Sequence, residues 1–486
     1  MAKKSLVVNS AFSVIYRLLN VLFPLITATY AARTLLPAGV GKVSFAQNIV
    51  QYFVIIAALG IPNYGIREIA KRQDDAESTN RVFSELFLIN AASTLACILV
   101  YYGMILGFDY FADQRLLFIT VGLSLVMNLF NVDWFYQGKE EYGYIALRSF
   151  IVKLLSLVAL FLFVRDTGDF VIYALIHSLA IAGNYLFNVF NLRGRVKLCL
   201  RGINVKRHLK PVIILLASSI SIELYTLLDT TMLGIWCSDT IVGYYNNATK
   251  LARIINSIIS SIALVLLPRL SYYYNNGMLE EFRSIAGRVL KILTALAIPA
   301  VLGVFLLADS MIPVLFGSSF EPAVVTLRIL SVLVMAVALN NFFGTQILMT
   351  VGEEKKLLAS VVIGALVNLC LNALLIRPYQ HNGAAFASAV SEVCVLLATM
   401  LFARKYVRFH FGLKYWSSML LSAAVMIGTV FGVKFLNLPV FVELAAGVCF
   451  GALVYFFVGY LLRNESVMEI MGIGKRLKNK LLRRRI

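Results

Sequence analysis

Apolar runs of about twenty residues recur along nearly the whole of this 486-residue chain, separated by short polar breaks. That is the length an α-helix needs to cross a bilayer, where no water is present to satisfy a loose backbone amide. Hydrophobic residues make up 60% of the chain and charged residues 14%, which excludes a soluble domain with alternating faces. A transmembrane β-barrel would show alternating segments of about ten residues, and none is visible. The chain reads as an all-α polytopic membrane protein. Gly, Pro and charge breaks place fourteen transmembrane helices, at roughly 8–31, 39–60, 82–106, 115–136, 144–164, 169–191, 211–235, 241–267, 288–308, 322–349, 356–376, 382–403, 416–435 and 438–462.

Lysine and arginine set the expected orientation. They cluster in Arg67–Arg81, Arg193–Lys210, Arg269–Arg288, Arg404–Lys414 and Lys475–Arg485. The intervening loops hold only Arg33, Arg115, Arg165, Arg377 and Lys434. By the positive-inside rule both termini are cytoplasmic. The net charge of +19 is then topology and lipid anchoring, with no nucleic-acid partner implied. Lys3 and Lys4 resemble the start of a signal peptide, but the apolar run behind them is too long, so an uncleaved first span is expected. Six scattered cysteines lack CxxC spacing and read as apolar fillers. Dispersed histidines, with no GxSxG, HExxH or phosphate-binding loop, leave no catalytic, metal or cofactor constellation.

Two halves of the chain echo each other. Val40-Gly41 opens the second span and precedes Phe45-Ala46-Gln47, while Val242-Gly243 opens the eighth and precedes Asn247-Ala248. Gly138-Lys139-Glu140 and Gly352-Glu353-Glu354 follow the fourth and tenth spans. An offset of six helices predicts two parallel repeats with the substrate site between them. The expected organisation is a six-helix bundle over 1–192, a basic linker over 193–210, a second bundle over 211–406, helices 13 and 14 within 407–462, and a basic tail over 463–486.

Six cations fall inside these spans: Arg17, Lys42, Lys153, Lys250, Arg253 and Arg328. Each costs roughly 2.5–3.5 kcal/mol at mid-membrane by insertion scales, so several together imply a wet interior or an anionic ligand. Ser13, Arg17 and Asn20 share one helix face, and so do Asn246, Lys250, Arg253 and Ser257. Ser149, Lys153 and Ser156 form a further stripe. Asn368 and Asn372 lie one turn apart on the eleventh span, and Glu223 and Asp229 are acids on the seventh. The simpler readings are bonding of Ser, Thr and Asn across helix interfaces, snorkelling of Lys42 and Arg328 to the headgroups, and pairing of Arg17, Lys250 or Arg253 with Glu223 or Asp229. The acids are too few to neutralise every base.

Several motifs occur together in order: Tyr30-Ala31-Ala32-Arg33 with Leu36-Pro37 and Gly39-Val40-Gly41; Leu59-Gly60-Ile61-Pro62-Asn63-Tyr64-Gly65 leading to Arg67-Glu68-Ile69-Ala70; Asp133-Trp134-Phe135-Tyr136-Gln137-Gly138-Lys139-Glu140; Val242-Gly243-Tyr244-Tyr245; Leu371-Asn372-Ala373-Leu374; and Asn382-Gly383-Ala384-Ala385. With these the chain resembles Wzx-type polysaccharide repeat-unit flippases of the multidrug/oligosaccharidyl-lipid/polysaccharide exporter superfamily, which includes the MATE-like transporters. The resemblance implies two bundles around a central cavity and export of undecaprenyl-pyrophosphate-linked oligosaccharide for O-antigen or capsule synthesis. Arg17, Lys42, Lys153, Lys250 and Arg253 would meet the pyrophosphate, with Ser13, Asn20, Asn246, Asn368 and Asn372 toward the sugar. Glu223 and Asp229 are candidates for H⁺ or Na⁺ coupling. Membrane lipids, a polymerase and a chain-length regulator are the expected partners. A multidrug exporter and a membrane polysaccharide polymerase are the competing readings.

Overall fold

The computed structural model describes residues 6–72, 75–199, 202–264, 267–407, 412–470 and 472, with side chains for all of these except 6–21, 217–222, 224–226, 261–264 and 267–268. Every regular element among the described residues is helical. Ten helices there are long and apolar enough to cross a membrane. Two of them, α1 (Leu6–Ala58) and α13 (Glu354–Ala403), each carry two expected spans broken at a single residue, Leu36 (φ 58°, ψ 175°) and Gln380 (φ 50°, ψ −128°). Loops of several residues were expected at both places. Leu36 precedes Pro37, whose ring disfavours the helical region for the residue before it. Helices α8 (Lys206–Trp236) and α9 (Asp239–Leu264) occupy the seventh and eighth expected spans.

Two compact units divide the chain, Met1–Gly243 and Tyr244–Ile486. In the first, α2 (Ile61–Ala70) and α3 (Ala76–Gly107) are followed by α4 (Arg115–Met127), α5 (Asp133–Gly138), α6 (Tyr142–Phe163) and α7 (Phe170–Leu192). The fourth span, expected to run continuously over 115–136, breaks between α4 and α5. Asn90 Nδ2 donates to the Asn128 carbonyl (2.8 Å), and Asn128 Nδ2 donates to Thr94 Oγ1 (3.0 Å). These side chains draw backbone and amide groups away from the helical ladder.

The core of this unit gathers Ile61, Tyr64, Ile69, Phe83, Leu86, Trp134, Phe135 and Tyr136. Glycines set how closely its helices approach. A Cβ on Gly65 would lie 2.6 Å from the Trp134 ring, and one on Gly138 would lie 2.7 Å from Ile69. Gly60 caps α2 at φ 75°, and a Cβ there would reach the Leu216 backbone nitrogen at 2.7 Å. Glu68 accepts from Lys71 Nζ (3.0 Å) and Arg72 Nη1 (2.6 Å).

The second unit contains most of α9, then α10 (Leu267–Asn275), α11 (Leu279–Phe316), α12 (Ala323–Asn340), α13, α14 (Leu413–Phe435) and α15 (Val440–Leu461). Past α12 the helix widens to a π-helical stretch over Asn341–Leu348, where a Cβ on Gly344 would touch Leu357 (2.7 Å). One core joins Phe282, Leu293, Val334, Phe342 and Ile347. A smaller cluster of Ala295, Tyr415, Met419, Met426 and Tyr455 seats α14 and α15 against α11. Gly447 and Gly451 of α15 lie under Leu307 and Val430, where Cβ atoms would come to 2.7 and 3.2 Å. Small residues of this kind let helices meet closely where lipid removes the usual hydrophobic driving force.

This packing can be tested at two places. Gly65→Ala presses a methyl into the buried Trp134 ring, so it costs about 1–3 kcal/mol. Gly103→Ala meets nothing within 4 Å and is neutral. Thermal unfolding of both variants in detergent checks the pair. The second place is the end of α13. Glu353 Oε1 accepts from Lys356 Nζ (2.6 Å) and from the Tyr406 hydroxyl (2.5 Å). Lys356 first, then Tyr406, hold the Glu353 carboxyl below its ordinary value of 4.5, and the bond to Glu353 pushes Tyr406 up to about 12. The lowered acid contributes above about 4.5 and is lost as pH falls through its folded value. The raised phenol contributes below 10 and is lost as pH climbs toward 12. The stability difference between wild type and Tyr406→Phe should therefore be greatest between these limits and shrink outside either one.

Candidate functional site

Charge inside the spans falls into two groups. Arg148 of α6, only 4% exposed, belongs to the first. Its Nη1 donates to Asp133 Oδ1 at 2.9 Å and to Asn188 Oδ1, while Asn188 Nδ2 donates to the same Asp133 oxygen. Arg328 also belongs there, with Nη2 lying 2.5 Å and 2.6 Å from the two carboxylate oxygens of Asp309, which also takes Lys434 Nζ at 3.0 Å. A guanidinium answered by a carboxylate holds helices together and has little left to offer a ligand. Arg328, expected to snorkel to the headgroups, also has this ion pair at the end of its span.

The second group is on α9. Asn246 and Lys250 are half-buried and Arg253 and Ser257 are exposed, whereas Tyr245, Asn247, Ala248, Thr249, Leu251 and Ala252 are buried. The steps of four, three and four thus place the polar stripe on the outward face of the helix. Among the described residues neither Lys250 nor Arg253 makes an ion pair or hydrogen bond. Two uncompensated cations about one turn apart, with an amide and a hydroxyl on the same face, can bind an anion by charge-assisted hydrogen bonds.

The remaining expected residues are placed as follows. Lys42 is half-buried in α1, with Nζ 4.9 Å from the centre of the Phe170 ring and its charge acting on Asp239. Lys153 is half-buried in α6, and its carbonyl accepts from Ser156 Oγ (2.8 Å). Asn368 and Asn372 are fully buried in α13, where Asn372 Nδ2 donates to Asn368 Oδ1 at 3.0 Å. Ser13, Arg17 and Asn20 lie outside the residues with described side chains.

Two buried charges escaped the sequence reading. Arg148 is the first, although Asp133 only fifteen residues earlier signals a partner. Glu85, 0% exposed, is the second. Its donors are the Asn204 backbone NH (2.7 Å), Arg207 Nη2 (2.5 Å) and His208 Nε2 (2.7 Å), and they come from a segment more than a hundred residues later.

Comparison with known proteins adds the family. A family described as "Polysaccharide biosynthesis protein" matches residues 6–273. The chain is 25% identical over 391 residues to the "Putative O-antigen transporter" of Escherichia coli (strain K12), covering 79% of this chain and 93% of that one. It is 26% identical over 239 residues to the lipid II flippase MurJ of Bacillus subtilis (strain 168), covering 46% and 43%. Among solved structures, lipid II flippase MurJ in an inward closed conformation matches with a TM-score of 0.73 at 14% identity, covering 94% of this chain and 99% of that one. An inward-facing multidrug resistance MATE family transporter matches with a TM-score of 0.63 at 16% identity, covering 79% and 93%. At these identities the structural likeness establishes the fold. With more than half of its length matched, the chain is a member of the polysaccharide biosynthesis protein family.

Proposed function

We propose that this protein is a flippase that carries undecaprenyl-pyrophosphate-linked oligosaccharide repeat units across a bacterial cytoplasmic membrane, with both termini on the cytoplasmic side. The observation that carries the reading is the pair Lys250 and Arg253 on one face of α9, which make no ion pair or hydrogen bond among the described residues. A pyrophosphate brings at least two negative charges that cannot cross hydrocarbon unaided, while its polyprenyl chain can remain in lipid. Guanidinium and ammonium groups hold such an anion strongly where water is scarce. Arg17, Lys42 and Lys153 are the further cations we assign to the headgroup. Ser13, Asn20 and Asn246 are the polar groups assigned to the sugars; Asn368 and Asn372, fully buried and bonded to each other, are not among them.

Transport then requires two six-helix bundles, 1–192 and 211–406, that expose the headgroup site to each side in turn. Glu223 and Asp229 would couple this cycle to H⁺ or Na⁺. The family and the named relatives support lipid-linked transport. MATE transporters share the fold, but a positive stripe suits an anion better than a cationic drug. Efflux of cationic dyes from a strain expressing the protein separates that alternative.

The reading is tested by complementing a flippase-deficient strain. Arg17→Ala and Arg253→Ala each lower surface polysaccharide at least tenfold while the protein still inserts, and lipid-linked oligosaccharide collects on the inner leaflet. Arg328→Gln, at a site already neutralised by Asp309, keeps export if the protein remains stable. Unimpaired surface polysaccharide in both alanine variants would remove these residues from the mechanism.

A further inference from the structure

The sequence echo of Val40-Gly41 and Val242-Gly243 has a spatial counterpart within the first unit. A Cβ on Gly41 would lie 1.7 Å from the Asp239 carbonyl oxygen, and a Cβ on Gly243 would lie 2.1 Å from the Pro37 carbonyl oxygen. Each glycine rests on the carbonyl four residues before the other, so the contact is reciprocal and wholly backbone. Gln114 Nε2 donates to Asp239 Oδ2 (3.4 Å) at the same crossing. No other residue type fits at either glycine without pushing the two segments apart.

From this crossing, at the C-terminal end of α8, a seam runs along α8 and the second half of α1. Phe45 covers Gly234. Asn48 Nδ2 donates to the Leu227 carbonyl (3.1 Å) and to Thr231 Oγ1 (2.7 Å), and Tyr52 and Thr231 hydroxyls meet at 2.9 Å. The opposite end of α8 is closed by charge. Glu85 of α3 takes Asn204 NH, Arg207 and His208 Nε2, and the Tyr64 hydroxyl of α2 lies 2.8 Å from His208 Nδ1. A carboxylate oxygen accepts, so Nε2 carries the hydrogen directed at Glu85.

We propose that α8 is a two-ended latch, shut at one end by the Gly41–Gly243 crossing and at the other by the Glu85 knot, and that the two ends release on opposite faces of the membrane. The inference rests on the transporter reading and assigns residues to its gating. The two closures differ in chemistry. The glycine crossing is held by backbone contact, with the Gln114–Asp239 bond beside it, and is opened by a wedge of one methyl group. The knot is held by a desolvated charge and is loosened by removing that charge.

The test uses a variant free of native cysteine with Asn48→Cys as reporter, midway along the seam and 7% exposed in the wild-type chain. A membrane-impermeant maleimide is applied to right-side-out and to inverted vesicles. Gly41→Ala or Gly243→Ala raises labelling at least fivefold from the face bearing the C-terminal end of α8, and the double variant adds little because both wedges open the same crossing. Glu85→Gln raises labelling from the opposite face alone, and Tyr64→Phe does so more weakly. Gly168→Ala, with nothing within 4 Å, changes neither. Labelling that rises from both faces together, from the same face in both classes, or in neither class with normal insertion overturns the proposal. Labelling needs no cargo, so sided opening with normal surface polysaccharide in Arg17→Ala and Arg253→Ala would leave the latch and remove the assigned cargo site. Loss of export in those variants without sided opening would do the reverse.

Discussion

The cost of leaving a charge unanswered in hydrocarbon organises this protein. Glu85, Arg148 and Arg328 lie in helices that cross or border the apolar layer, and each is met by named partners at hydrogen-bond distance. Removing one partner of a buried pair such as Arg148–Asp133 strands the other, which costs about 3–5 kcal/mol, whereas the exposed Arg328–Asp309 pair is screened and worth far less. Lys250 and Arg253 stand apart because no side chain among the described residues answers them. The same rule that makes the first group structural makes the second group the place where an anion from outside the chain would be stabilised.

The motifs most specific to the family are chiefly packing devices. Asp133 of the Asp133-Trp134 motif pairs with Arg148, Trp134 fills the space that Gly65 leaves open, and Gly138 lets α5 close on Ile69. The Gly60-to-Glu68 motif caps α2, brings it against α8 and pairs Glu68 with Lys71 and Arg72. Much of the family resemblance in this chain is therefore carried by how the first unit locks together, alongside Leu371-Asn372-Ala373-Leu374 and Asn382-Gly383-Ala384-Ala385 in the second.

Much of the helical framework was readable beforehand because backbone in a membrane has few alternatives. Two of the departures have a local cause, Pro37 after Leu36 and the side-chain bonds at Asn128. Leu36 and Gln380 compress loops to single residues, and Asn128 diverts the fourth span through bonds to Asn90 and Thr94. The stripe on α9 was readable from its spacing, since positions three and four apart share a helix face. The full burial of Asn368 and Asn372 was not, because spacing along one helix does not say what a neighbouring helix covers.

What the amino-acid order determined alone is the class of protein, the approximate placement of its apolar helices and the faces on which polar groups line up, since hydropathy and helical period are properties of short segments. Tertiary structure decided which charges are neutral pairs and which are not. Arg148 finds Asn188 forty residues away, Glu85 finds Arg207 and His208 across more than a hundred, and Gly41 meets Asp239 at backbone contact. Such pairings depend on distances across space, and a helical period carries no information about them.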